Sequence, residues 1–260
     1  MKRVLPVILC ALAFMPGYAA ADCTKLTITG HPEYPPVGWR DGDRIRGAGA
    51  ALVTKIATDL GLTVESKYTG SWANAQAAAR NGGVDVIFGI YFNEERATYL
   101  DYVRPRFMID PVVVMVRKGH TFPFREWKDL VGKKGVTNEG ESYGPEFDQF
   151  IAERLTVARA KGTEATFREV IDGKADYMIV GLYPGRAEAA RLGIKDRVEA
   201  LPQYILSADM FIAFSKKSPC RRHRDAFGVK VETMAGDGSV QTLLLNATSE
   251  WESRLAVKDR

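Results

Sequence analysis

Asn81-Gly82-Gly83-Val84-Asp85-Val86-Ile87-Phe88-Gly89-Ile90-Tyr91-Phe92-Asn93-Glu94-Glu95-Arg96 is the stretch on which the fold turns. Residues 84–88 are an apolar strand, entered through a glycine pair and left through a turn. That turn offers backbone N–H groups at residues 89–91, then the rings of Tyr91 and Phe92, then the guanidinium of Arg96. Open α/β sheets bind small ligands at the C-terminal edges of their strands. A guanidinium there holds a carboxylate through two parallel N–H bonds. The stretch predicts a receptor for a small acid before it predicts an enzyme.

Working outward, residues 25–30 alternate apolar and polar and read as a strand, ended by the rigid loop His31-Pro32-Glu33-Tyr34-Pro35-Pro36. Residues 41–46 read as a charged turn. Residues 48–60 have helical periodicity and stop at Gly61, a good C-terminal glycine. Residues 62–68 are a second strand, and the alanine-rich 72–80 a second helix. The order β-α-β-α-β predicts an α/β fold with a doubly wound, mostly parallel sheet.

A second round follows. Residues 134–137 read as a strand, 143–159 as a helix, 167–171 as a short helix and 177–180 as a strand ending at Gly181. Asp172-Gly173-Lys174-Ala175-Asp176-Tyr177-Met178-Ile179-Val180-Gly181 repeats the order helix end, glycine, aspartate, apolar strand, glycine. The repeat predicts two similar lobes. Asp85 and Asp176 are assigned to their turns, where aspartate bonds local backbone well. The apolar runs 111–117 and 209–215 read as two strands crossing between lobes, and residues 239–247 and 250–257 as closing helices on the first lobe. The expected boundaries are 22–113 for the first part of lobe 1, 114–208 for lobe 2, and 209–260 for the return. Two crossings make a hinge that closes around a ligand.

The N-terminus reads as a secretory signal peptide, residues 1–21. Lys2 and Arg3 precede the apolar run 4–14, which is short for a membrane span, and Ala19-Ala20-Ala21 offers the small residues of a cleavage site. Cleavage after Ala21 places the mature chain in the periplasm. It also removes Cys10 and leaves Cys23 and Cys220, which are expected to pair in an oxidising compartment, with two unpaired buried thiols as the alternative. The formal charge of +4 falls to about +2 once Lys2 and Arg3 are lost, too balanced for a nucleic-acid protein. The densest basic run, Lys216-Lys217-Ser218-Pro219-Cys220-Arg221-Arg222-His223-Arg224, reads as a solvated face, with contact to a partner at the membrane as the alternative.

With those residues in view, the chain resembles the periplasmic solute-binding proteins of family 3, the polar amino-acid receptors of ABC importers. The likeness runs from about residue 26 to 245. It rests on Glu33-Tyr34-Pro35-Pro36, Gly61-Leu62, Gly83-Val84-Asp85, Glu94-Glu95-Arg96, Trp127-Lys128-Asp129-Leu130-Val131-Gly132-Lys133-Lys134 and Gly173-Lys174-Ala175-Asp176, in that order and spacing. The resemblance implies the type II periplasmic-binding-protein fold, with two lobes joined by two crossing strands. It implies that Arg96 clamps a ligand carboxylate, that backbone N–H groups near Gly89 and Tyr91 share it, that Tyr34 stacks on the ligand, and that Ser142 adds a hydroxyl from the second lobe. It implies an inner-membrane ABC permease as partner and a monomer with no cofactor.

Two departures bear on specificity. His31 stands where many members of the family have an acidic residue before the first-loop Pro-x-Tyr. Gly181, Leu182 and Tyr183 occupy the place of the second-lobe carboxylate that usually accepts the ligand's α-ammonium. The expected ligand therefore carries a carboxylate, with its amine left open. Trp72, Tyr91, Tyr183 and His31 join Tyr34 as candidate ligand contacts, since rings in loops and at element ends give contact area at low entropic cost. Gly140-Glu141-Ser142-Tyr143-Gly144 matches a serine nucleophile elbow, but a downstream acid-then-histidine order is missing, with only His223 following. His31 lacks a second ligand at metal spacing, so no metal is expected. The alternatives are an enzyme on the same scaffold, like the cyclohexadienyl dehydratases, with Glu141 or His31 as acid or base, and a sensory protein that presents its closed form to a membrane receptor.

Overall fold

A central strand flanked by parallel partners organises each half of the molecule. The computed structural model describes residues 23–258, so the expected signal peptide lies outside the described residues. β1 (Lys25–Gly30) leads into β2 (Glu33–Tyr34), β3 (Gly38–Asp41) and β4 (Arg44–Arg46). These last three form a small antiparallel sheet where a rigid loop and a charged turn were expected. Trp39 and Ile45 are both buried, which gives this charged segment an apolar side to pack. α1 (Ala48–Asp59) buries Leu52, Val53, Ile56 and Ala57 and ends at Leu60, ahead of Gly61 with φ +76°. β5 (Thr63–Ser66) and α2 (Trp72–Asn81) follow. Ser71 caps α2 by accepting from Asn74 N, and left-handed Gly82 closes it.

β6 (Val86–Tyr91) runs further than the sequence implied, so residues 89–91 lie in a strand, not a turn. Gly89, at φ +71°, falls where the pairing with a later strand shifts, between Phe88 and Ile90. It is the extra residue of a bulge, which the lack of a Cβ permits. α3 (Glu94–Ala97), β7 (Leu100–Tyr102) and the ten-residue β8 (Met108–Arg117) complete the first passage.

The second half contains β9 (Lys134–Asn138), α4 (Pro145–Arg154), β10 (Thr156–Ala160), α5 (Thr163–Ile171), β11 (Tyr177–Gly181) and α6 (Leu182–Arg191). The single helix expected over 143–159 is thus a shorter helix and a strand. α4 starts at Pro145, and the chain from Thr156 pairs in parallel with β9 along its whole length. Ladder formation at the sheet edge overrides the helical pattern there. β12 (Val198–Ser215) returns to the first half, followed by α7 (Arg224–Gly236) and α8 (Ser239–Lys258). α8 is one helix where two were expected. α6 and α7 were not foreseen; α7 begins at the end of the basic run, which is otherwise a short 3-10 turn.

The sheet order is β10-β9-β11-β8-β12-β6-β1-β5, with β7 on β12. β1, β5 and β6 are parallel, as are β9, β10 and β11. β8 and β12 are antiparallel to these sets and to each other, and lie between them. Each half is therefore three parallel strands closed by one crossing strand. The turn aspartates perform the same task in both: Asp85 accepts from Thr27 N at 2.8 Å, and Asp176 from Lys134 N at 2.7 Å. One apolar core passes from Leu26 and Ile28 through Val112, Val114 and Ile212 to Phe147 and Tyr177. Cys23 and Cys220 are joined in a disulfide.

Candidate functional site

The strand ends and loops of both halves meet above β8 and β12. Asn93, just past β6, caps α3 by accepting from Arg96 N at 2.7 Å. The cap fixes the one-turn helix and turns the Arg96 side chain inward, where it is 2 % exposed. Its Nε donates to Gln76 Oε1 at 2.9 Å, one Nη to the Tyr91 carbonyl at 3.1 Å, and the other to the Gly140 carbonyl at 2.9 Å. A guanidinium has five N–H groups, so one remains on each terminal nitrogen. Among the described residues no carboxylate lies within 4.0 Å of it. The guanidinium carbon sits 5.7 Å from the Trp72 ring centroid.

Gly140 belongs to the other half, so Arg96 already spans the two. Further contacts join them nearby. Gln76 Nε2 donates to Gly140 O at 3.0 Å, Asn93 Nδ2 to Ser142 Oγ at 2.6 Å, and Thr163 N to Glu33 Oε2 at 2.7 Å. His31 Nδ1 accepts from Glu33 N at 2.9 Å, which places the imidazole proton on Nε2, 3.2 Å from Glu141 Oε1. The halves are closed on each other, leaving a void of about 20 Å³ between Tyr34, Glu141, Tyr143 and Gly181. No amino acid fits that void, though open clefts of about 410 Å³ beside Tyr91 and Tyr143 and about 490 Å³ beside Trp72 and Asn138 flank it; a ligand held at the void itself requires the lobes to part.

The sequence model of the bacterial extracellular solute-binding proteins, family 3, matches residues 26–244. The chain belongs to this family. Similar solved structures include AbpA from Streptococcus pneumoniae bound to L-arginine, with TM-score 0.73, 17% identity, and 88% and 96% of the two chains covered. Holo ArgBP from T. maritima follows with TM-score 0.67, 20% identity, and coverage of 81% and 90%. A histidine kinase sensor domain with similarity to periplasmic binding proteins gives 0.70, 22%, and 87% and 95%. At these identities the likeness is one of fold, the type II two-lobed architecture. Among curated proteins, none matches the chain by sequence.

In this family-3 protein the structure gathers most of the expected site residues. Arg96, Tyr34, Tyr91, Trp72, His31 and Ser142 are all buried around the interlobe contact. The His31 ring lies 5.0 Å from Trp72 and 5.2 Å from Tyr34, a continuous aromatic wall. Gly89 is half-buried at its bulge, and the two residues after it are paired with β12, which corrects the picture of a free N–H turn. Ser142 precedes α4 instead of starting it, and its hydroxyl donates to Asp148 Oδ2 at 2.5 Å. Tyr183 stands apart, 47% exposed on α6, beside a surface groove that Phe107 and Leu244 also line.

One residue was missed. Asp110, on crossing strand β8, is 0% exposed. Its Oδ2 accepts from Tyr34 Oη and Tyr91 Oη, both at 2.7 Å, while its Oδ1 has no hydrogen-bond partner. Gly181 makes the room: a Cβ there would fall 2.3 Å from Tyr34 Oη and 2.5 Å from Asp110 Oδ2. The signal was available, since a charge within an otherwise apolar central strand breaks the pattern of a doubly buried element. Burial pushes the Asp110 carboxyl up to about 6; the Tyr34 and Tyr91 hydroxyls pull it down, and Glu141 pushes it up. Burial, then the nearby carboxylate, holds the phenols of Tyr34 and Tyr91 well above the usual range.

A raised carboxyl pKa works against folding at neutral pH. Between the reference value of 3.8 and about 6 the folded chain binds more protons at Asp110 than the unfolded one. Stability from this group therefore falls as pH rises through that window and stays low above it. At neutral pH the penalty is about 3 kcal/mol by the usual conversion. Asp110→Asn is expected to stabilise the ligand-free protein by about 1–3 kcal/mol at neutral pH and by much less near pH 4. Urea melts at the two pH values check it; a destabilised variant at neutral pH would contradict the assignment.

Proposed function

We propose that this family-3 protein is a periplasmic receptor, exported with cleavage after Ala21. It captures a small carboxylate-bearing ligand, an amino acid or a related organic acid, between its lobes and delivers it to an ABC permease. The supporting observation is Arg96: a buried cation, bonded only to neutral oxygens, with two N–H groups left over. A buried charge without a counter-ion costs several kcal/mol, and a ligand carboxylate would relieve that cost. In this reading Tyr34, Tyr91, Trp72 and His31 wall the ligand, the Gly89 backbone adds an N–H, and Ser142 closes from the second lobe. The lobes divide near residues 113 and 208, within the two crossing strands. The receptor works as a monomer, without cofactor.

Release of bound small molecules by denaturation, followed by mass spectrometry, would identify what co-purifies. A thermal-shift series of amino and organic acids then gives the ligand, since binding to the folded state raises the melting temperature. If no acid shifts it, the reading is wrong.

Two other uses of the same cleft remain distinct. Presentation of the closed form to a membrane receptor is favoured by the fold shared with a histidine kinase sensor domain, and co-purification with a permease or a kinase separates the two. Catalysis would draw on the His31–Glu141 pair; turnover of prephenate or arogenate would reveal a dehydratase.

A further inference from the structure

The geometry points to Asp110 as a ligand-contacting residue: from the crossing strand it supplies the counter-charge for a cationic N–H group on the same ligand that Arg96 holds by its carboxylate. The inference rests on the carboxylate reading of the cleft and narrows the ligand to a zwitterion. Three observations carry it. Asp110 is buried, yet Oδ1 is left without a donor. No cationic side chain pairs with it among the described residues, so its charge is as unbalanced as that of Arg96. Gly181, at the end of the second-lobe strand β11, lacks the Cβ that would displace Asp110 Oδ2, so the carboxylate packs directly against the second lobe.

The placement explains how the cleft manages with Gly181, Leu182 and Tyr183 where a second-lobe carboxylate is usual. The acid comes from β8 and reaches the same spot, because β8 pairs with β11 through Val112 and Gly181. Tyr34 from β2 and Tyr91 from β6 orient it. A ligand cation here touches the strand that joins the lobes, so it binds both halves at once.

The pairing depends on pH. Ionised Asp110 attracts a cationic group and protonated Asp110 does not. The groups facing it are Tyr34 from β2, Tyr91 from β6 and Glu141 from the loop after β9; β11 presents Gly181, and Ala208 of β12 stands opposite in the ladder. His31 faces Glu141, and Asp110→Asn separates any contribution it makes.

The test is a calorimetric comparison of matched probes: the proteinogenic L-amino acids and the same acids lacking only the α-amine. The wild-type protein should bind at least one amino acid about 30-fold or more tightly than its desamino partner at neutral pH, as expected for loss of a buried charge pair. Asp110→Asn should reduce that ratio to about 3-fold or less while keeping affinity for the desamino acid. Below pH 6 the wild-type ratio should shrink by about tenfold per pH unit, and that shrinkage should be absent from the variant. Equal binding of the two sets by the wild type overturns the inference and leaves the carboxylate reading standing. Full discrimination by Asp110→Asn, or a wild-type ratio constant with pH, overturns it as well. If neither set binds, both fall. Should Asp110→Asn fail to fold, the wild-type ratio and its pH dependence decide.

Discussion

Arg96→Ala should weaken binding of any carboxylate that stabilises the wild-type protein by about 30-fold to several thousand-fold, the usual cost of leaving one member of a buried charge pair alone. The size follows from how the side chain is held. Three of its N–H groups are fixed on Gln76, Tyr91 O and Gly140 O, so the remaining two are pre-aimed and a ligand meets them without ordering cost. Arg96→Lys should recover little, because a point charge lacks the planar fork. The variant also loses its contact with Gly140 across the lobes, so circular dichroism must show the fold intact. Isothermal titration with the best wild-type acid checks the prediction; unchanged affinity in Arg96→Ala would remove the anchor and with it the reading of the cleft.

Where local pattern and tertiary role agree, the sequence was legible. The repeated unit of glycine, aspartate and apolar strand named two lobes, and Asp85 and Asp176 do bond the start of a neighbouring strand in each. The apolar runs within β8 and β12 read as crossings because nothing polar interrupts 112–116 or 210–214. Legibility failed where partners distant in sequence decide. Residues 156–160 form a strand only because β9 offers an edge. Tyr91 lies in a strand because β12 arrives from residue 210 to pair with it. In the candidate site, the position of Arg96 just past β6 is legible in the sequence, whereas the presence of an acid near the end of β11 is not. Asp110 reaches that end from another strand, a proximity created by register. Tyr183 failed for the opposite reason: it begins α6, and the helix carries its ring outward.

Removing the disulfide, by Cys23→Ser with Cys220→Ser or by reduction, should lower stability by about 4–5 kcal/mol. The bridge closes a loop of sequence separation 197, and in the chain-entropy account longer loops restrict the unfolded chain more. It ties the start of β1 to the turn before α7, so the loop holds both crossings and the whole second half. Both cysteines are buried, and the double serine variant adds the smaller cost of placing two hydroxyls there. Against a typical stability of about 5–15 kcal/mol, the loss would leave the chain marginal in a reducing compartment and secure in an oxidising one. Urea unfolding with and without dithiothreitol measures it, with the serine pair as control for the reductant. A shift below about 1 kcal/mol would mean that the unfolded chain is already restricted. The bridge would then matter for holding β1 to the return segment, not for the stability of the whole.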